Sequence, residues 1–309
     1  MNRFVAVLVK STMGIAVLTT LLIAQGCSPR VKSQEAAADK EKPTTAQPMG
    51  SMDHQEHEIS RSEHQKGGID HSEHSGNKVT TQVKLTTPKD IKPNTTVPLV
   101  INVQDKDGKA IANFDTFQEK LMHLIVVSDD LQFFNHIHPI YKNNGRFEVQ
   151  ANFPQPGSYT LFSDYKPTGN TEQISVLKTQ LPGKSPSTPP IDLKLNKTFG
   201  DIKANLTFSQ PTLKVGEEVT LSFDLKQTSN NQPVQNLQPY LGELGHLVII
   251  KQSSPLTRSD YIHAHALKNT PSGKVNFMTN FPTPGTYKMW GQFNRNGRIV
   301  VVDFGVNVQ

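Results

Sequence analysis

The 309-residue chain has a single cysteine, Cys27. That excludes a disulfide framework, a cysteine-based zinc finger and iron–sulfur clusters. Charge of one sign is also scarce. The net charge of +5 is spread thinly and no tight basic run occurs, so nucleic acid is not expected as a partner. Gly and Pro, at 20 and 21 residues, stay near the globular average, which excludes collagen-like and wholly disordered chains. Neither G-x-S-x-G nor H-E-x-x-H is present. Asp129, Asp130 and Asp164 lie near histidine motifs, but without a placed general base they do not make an enzyme, and none is expected. The length allows two ordinary domains.

What is present begins with a targeting segment. Arg3 and Lys10 make a positive start, and residues 11–24, STMGIAVLTTLLIA, form an apolar run of 14. That is short for a bilayer span and right for a signal-peptide core. It leads into Ala24-Gln25-Gly26-Cys27, which resembles the lipobox of bacterial lipoproteins, with Ala24 where that family usually has Leu. The resemblance implies a signal peptide over 1–26, lipidation at Cys27, and a membrane-anchored protein of the cell envelope facing the periplasm or exterior. Each buried methylene contributes roughly 0.8 kcal/mol, so several acyl chains anchor firmly. The competing reading is a secretory signal with a chance cysteine.

Residues 27–78 have the polar composition of a disordered tether. Within it, His54, His57, His64, His71 and His74 accompany Met49 and Met52, and D-H-x-x-H occurs twice. Imidazole suits copper and zinc, and thioether adds a preference for Cu(I), so this tract is a weak metal binder by composition. The alternative is a solvated tether whose histidines are incidental.

The remainder is an internal repeat. MHLIVVSDDL, NHIHP and FPQPGSYTLFSDY in the first copy match GHLVII, YIHAHA and FPTPGTYKMWGQF in the second, in the same order. Residues 79–178 and 199–309 form the two modules, joined over 179–198 by a Pro-rich linker. Alternation at Val97, Leu99, Ile101 and Val103, and at Val219, Leu221, Phe223 and Leu225, predicts strands. Leu124–Val127 and Leu247–Ile250 are continuous apolar runs suited to central strands. No 3.6-residue period is sustained in these modules. The expected fold is all-β: two tandem Ig-like or cupredoxin-like β-sandwiches. Tyr159 and Tyr287, after P-x-P-G, read as tyrosine corners.

The histidines of the repeats occupy matched positions: His123 with His246, His136 with His263, His138 with His265. Residues i and i+2 of a strand share a face, so each H-x-H pair points one way. A preceding strand that returns beside it adds the third imidazole. Three imidazoles with an open position suit copper or, less well, zinc. The expectation is two separate sites, one per module, losing affinity below about pH 6 as imidazole protonates near its usual pKa of about 6.5. The plain alternative is that H-x-H is a solvated face and the lone histidine a satisfied core residue.

These strings, each followed by P-x-P-G-x-Y, resemble bacterial secreted or lipoprotein families of tandem Ig-like modules found beside heavy-metal export systems. The resemblance covers residues 80–309 and implies copper handling (buffering, resistance or delivery), with a metal export system as partner. The modules are also similar, more loosely, to small periplasmic copper-resistance β-barrels. Neither module contains cysteine, which excludes a blue-copper centre. The alternative function is a structural or adhesion-type interaction module of the envelope.

Overall fold

A computed structural model describes residues 81–309 apart from Asn269. The signal, Cys27 and the tether histidines and methionines lie outside the described residues. The first module comprises β1 (Thr81–Thr86), β2 (Thr96–Asp105), β3 (Phe114–Asp115), β4 (Met122–Ser128), β5 (Phe134–Ile137), β6 (Ile140–Tyr141), β7 (Arg146–Asn152), β8 (Gly157–Pro167) and β9 (Gln173–Leu181). The second comprises β10 (Asn196–Phe199), β11 (Ile202–Phe208), β12 (Val219–Gln227), β13 (Leu237–Gln238), β14 (His246–Lys251), β15 (Tyr261–His265), β16 (Lys274–Thr279), β17 (Gly285–Arg295) and β18 (Arg298–Val308). The strands of the first module thus run past residue 178, and those of the second begin before 199. Among the described residues there is no α-helix.

Each module is a sandwich of two antiparallel sheets. One pair is β1-β2-β7-β6 against β3-β8-β4-β5, with β9 alongside β8. The other is β10-β11-β12-β16 against β13-β17-β14-β15, with β18 alongside β17. Strands β4, β5, β8 and β9 correspond to β14, β15, β17 and β18. Alternation does what the sequence predicts: Val97, Leu99, Ile101 and Val103 enter the first core, and Val219, Leu221, Phe223 and Leu225 the second.

The tyrosine corners are formed. Tyr159 donates its hydroxyl to the carbonyl of Gln155 at 2.8 Å, and Tyr287 to that of Thr283 at 2.7 Å. The preceding Gly157 and Gly285 have φ of 132° and 138°, a backbone region that L side chains avoid.

The two central apolar runs have a further role. Leu124 and Val126 fill the first module's core, and Leu247 and Ile249 the second's. The intervening residues Ile125, Val127, Val248 and Ile250 do not face solvent. They form a third apolar cluster with Phe162, Ile174, Tyr261 and Trp290. A strand reads as a continuous apolar run when both its faces are buried. Here one face is covered by its own sandwich and the other by the neighbouring module. Burying each large apolar side chain contributes roughly 1.5–3 kcal/mol, so this contact is a substantial part of the structure.

The junction has approximate two-fold symmetry within one chain. Phe134 of the first module stacks on Trp290 of the second at 4.8 Å and 12°. Tyr261 of the second stacks on Phe162 of the first at 5.0 Å and 18°. In the ladders Ile125 lies opposite Phe162, and Val248 opposite Trp290. The contact is therefore reciprocal, as at the interface of a symmetric dimer.

Candidate metal centre

The face of β4 that carries Ile125 and Val127 toward the junction also carries His123, two residues earlier. The same periodicity puts His246 beside Val248 and Ile250 on β14. Strand β5 pairs His136 with Ile125. Strand β15 pairs His263 with Val248, and His265 with His246. His138 lies one residue past β5, level with His123. All six histidines thus belong to the faces that the modules turn toward each other.

The two triplets, expected to lie apart, meet in one cluster. The rings of His136 and His246, from different modules, stack at 4.8 Å, and those of His123 and His246 at 5.7 Å. His123, His136 and His246 each bring a ring nitrogen within 4.8 Å of the others. His138 lies 4.6 Å from His136 and His265 5.2 Å from His263, ring to ring. A solvated face is corrected, because His123, His136, His246 and His263 are buried. Both findings have one cause: the outer face of each inner sheet is covered by the other module.

Hydrogen bonds fix the rings across the junction. Nδ1 of His136 donates to Oε1 of Gln292 in the second module at 2.8 Å. The equivalent Nδ1 of His263 faces Oδ2 of Asp164 in the first module at 3.3 Å. Asp164 and Gln292 are themselves equivalent, lying opposite His123 and His246 in their ladders. Gln118 of the first module places its amide nitrogen 2.6 Å from Nδ1 of His265.

The tautomers carry the chemistry. Nε2 of His123 donates to the carbonyl of Phe117 at 3.2 Å, and a carbonyl only accepts. Nδ1 of His123 therefore bears the lone pair. With Gln292 oriented to accept from Nδ1 of His136, Nε2 of His136 bears a lone pair too. These two lone-pair nitrogens face each other at 3.0 Å. Nε2 of His263 lies 2.7 Å from Nε2 of His246, and Nε2 of His138 is buried without a hydrogen-bond partner.

A proton is poorly suited to fill the gap. Burial, reinforced by the neighbouring His263, His138 and Lys120, lowers the pKa of His123 to about 3. His136 and His246 are held well below the usual 6.5, first by burial and then by the other imidazoles. His138 falls to about 4 through burial and Lys120. Neutral imidazole is the ligand form. Ligands at about 2.0–2.1 Å from zinc stand roughly 3–4 Å from one another, so His123, His136 and His246 have the chemistry and approximate spacing of a nitrogen-donor site.

Asp164 lies near a histidine motif but is not a sequence candidate, and neither are Gln118 and Gln292. The signal for two of them was available: Asp164 in F-S-D-Y and Gln292 in W-G-Q-F are matched polar residues inside matched apolar strands. Among solved structures the fold resembles Salmonella alpha-2-macroglobulin (17% identity, TM-score 0.25, 74% of this chain). It also resembles the Escherichia coli adhesin FdeC (13% identity, TM-score 0.25, 75% of this chain and 64% of that one). The chain spans about 15% of the macroglobulin's length. No curated protein matches it in sequence. One family model does match, once over 77–179 and again over 197–309, covering both sandwiches and all six junction histidines. The chain belongs to that family, described as a domain of unknown function, DUF8832.

Proposed function

We propose that this chain is a lipid-anchored envelope protein that binds one copper ion, or less tightly zinc, in an imidazole centre shared by its two modules. The observation that carries the reading is the convergence of ring nitrogens from both modules, with Nδ1 of His123 and Nε2 of His136 3.0 Å apart and His246 beside them in a buried junction. A divalent cation would be held by neutral ring nitrogens placed in this way. The Irving–Williams order favours Cu(II) over Zn(II) for such nitrogen donors. The lipobox-like Ala24–Cys27 supports anchoring, and the tether histidines and methionines support capture of metal near the membrane for buffering or delivery to an export system.

The test is copper retention by the metal-free full chain against a chelator strong enough to strip the tether. Wild type keeps a tight equivalent, and His123→Ala and His246→Ala each lose it. A second reading is an envelope interaction module in which the histidines only pack the junction. It draws on the apolar cluster around Ile125, Val248 and Trp290, which joins the modules without an ion. Equal copper retention by wild type and both variants would favour that reading.

A further inference from the structure

The pseudo-symmetric halves of the junction differ in one respect. Where Gln292 meets His136 with a neutral amide, Asp164 meets His263 with a carboxyl group. Glu172 adds a second one: Asp164, Glu172 and His263 each bring a ligand atom within 4.8 Å of the others. Asp164 is fully buried, and its Oδ1 has no hydrogen-bond partner. Its Oδ2 accepts from the Tyr261 hydroxyl at 3.4 Å. His263 therefore has one nitrogen toward the imidazole cluster, 2.7 Å from Nε2 of His246, and the other toward carboxylate oxygen.

We infer that Asp164, Glu172 and Nδ1 of His263 form a second cation position beside the imidazole centre. Two carboxylates and one nitrogen make a harder donor set than the neighbouring imidazoles, matched to a divalent ion such as zinc. In the metal-free chain Glu172 and Tyr261 hydrogen-bond Asp164, with the Arg258 guanidinium nearby. The alternative role for Asp164 is to orient His263 as a ligand of the first ion, the usual work of a carboxylate beside a metal-bound imidazole. This inference rests on the proposed copper reading for the neighbouring imidazoles, and its test separates the two.

The full chain is loaded with Cu(II), then Zn(II), desalted, and assayed for both metals. Wild type, Asp164→Asn and Glu172→Gln are compared, with near-ultraviolet circular dichroism reporting the fold. Metal on the tether is common to all three and cancels in the difference. The expected result is that each variant keeps its copper and loses one zinc equivalent relative to wild type. Equal zinc in all three overturns the second position while leaving the copper reading intact. Loss of both metals in Asp164→Asn also overturns it, and makes Asp164 a positioning residue. Loss of copper in His123→Ala is the separate control: if copper is unaffected there, the shared imidazole centre is what fails.

Discussion

His136 of the first module hydrogen-bonds Gln292 of the second, and Nδ1 of His263 in the second faces Asp164 of the first. Each half of the junction thus supplies imidazoles and holds the other half's imidazoles in place. A histidine cluster built this way exists only when the modules are docked.

Gln292 should matter to binding although it is itself no ligand. Gln292→Ala leaves the buried Nδ1–H of His136 without an acceptor, a cost of about 1–3 kcal/mol. Loss of such a supporting contact should also weaken copper binding by about 10–100-fold. Gln292→Glu keeps an acceptor and should retain most of the affinity. Denaturant midpoints and chelator competition measure the two effects. A Gln292→Glu variant that binds no copper would mean that an acceptor at Nδ1 of His136 does not support the centre.

Acid should destabilise the metal-free junction. His123, His136, His138 and His246 have folded pKa values below the usual 6.5, to about 3 for His123 and about 4 for His138. Between those values and 6.5 the unfolded chain binds more protons, so stability falls as pH falls through that window. Asp164 acts with opposite sign. Burial raises its pKa to about 7, so the folded state binds the extra proton and its contribution is lost as pH rises through 7. Four imidazoles outweigh one carboxyl group, and urea midpoints should drop between pH 6.5 and 4. Protons should begin to displace copper from His123 and His138 well below the pH of about 6 set by free imidazole. A midpoint unchanged from pH 7 to 4.5 would contradict the buried neutral state.

Trp290 is the chain's single tryptophan, 3% exposed and stacked on Phe134 across the junction. Its emission should be that of a buried indole and should be quenched when Cu(II) enters the cluster. His123→Ala should abolish the quenching. Trp290→Ala should cost about 3–5 kcal/mol as a large-to-small core change, reported by calorimetry.

Stability and binding should separate at the tyrosine corners. Tyr159→Phe removes a hydroxyl bonded to the carbonyl of Gln155, a loss of about 1 kcal/mol, with copper affinity unchanged. The same holds for Tyr287→Phe. A fall in copper affinity in either would mean that the corners help place the junction.

The repeat, the sandwich class and the corners could be read from the residues because they depend on local pattern. Alternation over Val97–Val103 and φ-demanding glycines before Tyr159 and Tyr287 act within one module. The continuous run Leu124–Val127 said that both strand faces are buried but not what covers the second. Without that, His123 with His136 and His246 with His263 looked like two copies of one site. The reciprocal stacks of Phe134 on Trp290 and Tyr261 on Phe162 bring the two triplets together. They join residues far apart in sequence, and no periodicity reports such contacts.

The central claim is that one centre is shared by both modules, and the stoichiometry of the tightest copper in paired variants tests it most directly. His136→Ala with His138→Ala empties the first module's H-x-H pair, and His263→Ala with His265→Ala the second's. Both are measured in the full chain by isothermal calorimetry against a competing chelator, after circular dichroism shows the sandwiches intact. The shared centre predicts that either double variant loses the same tight equivalent, with no tight site left in the untouched module. Retention of one tight equivalent by each double variant, with two in wild type, would contradict it and restore two independent sites.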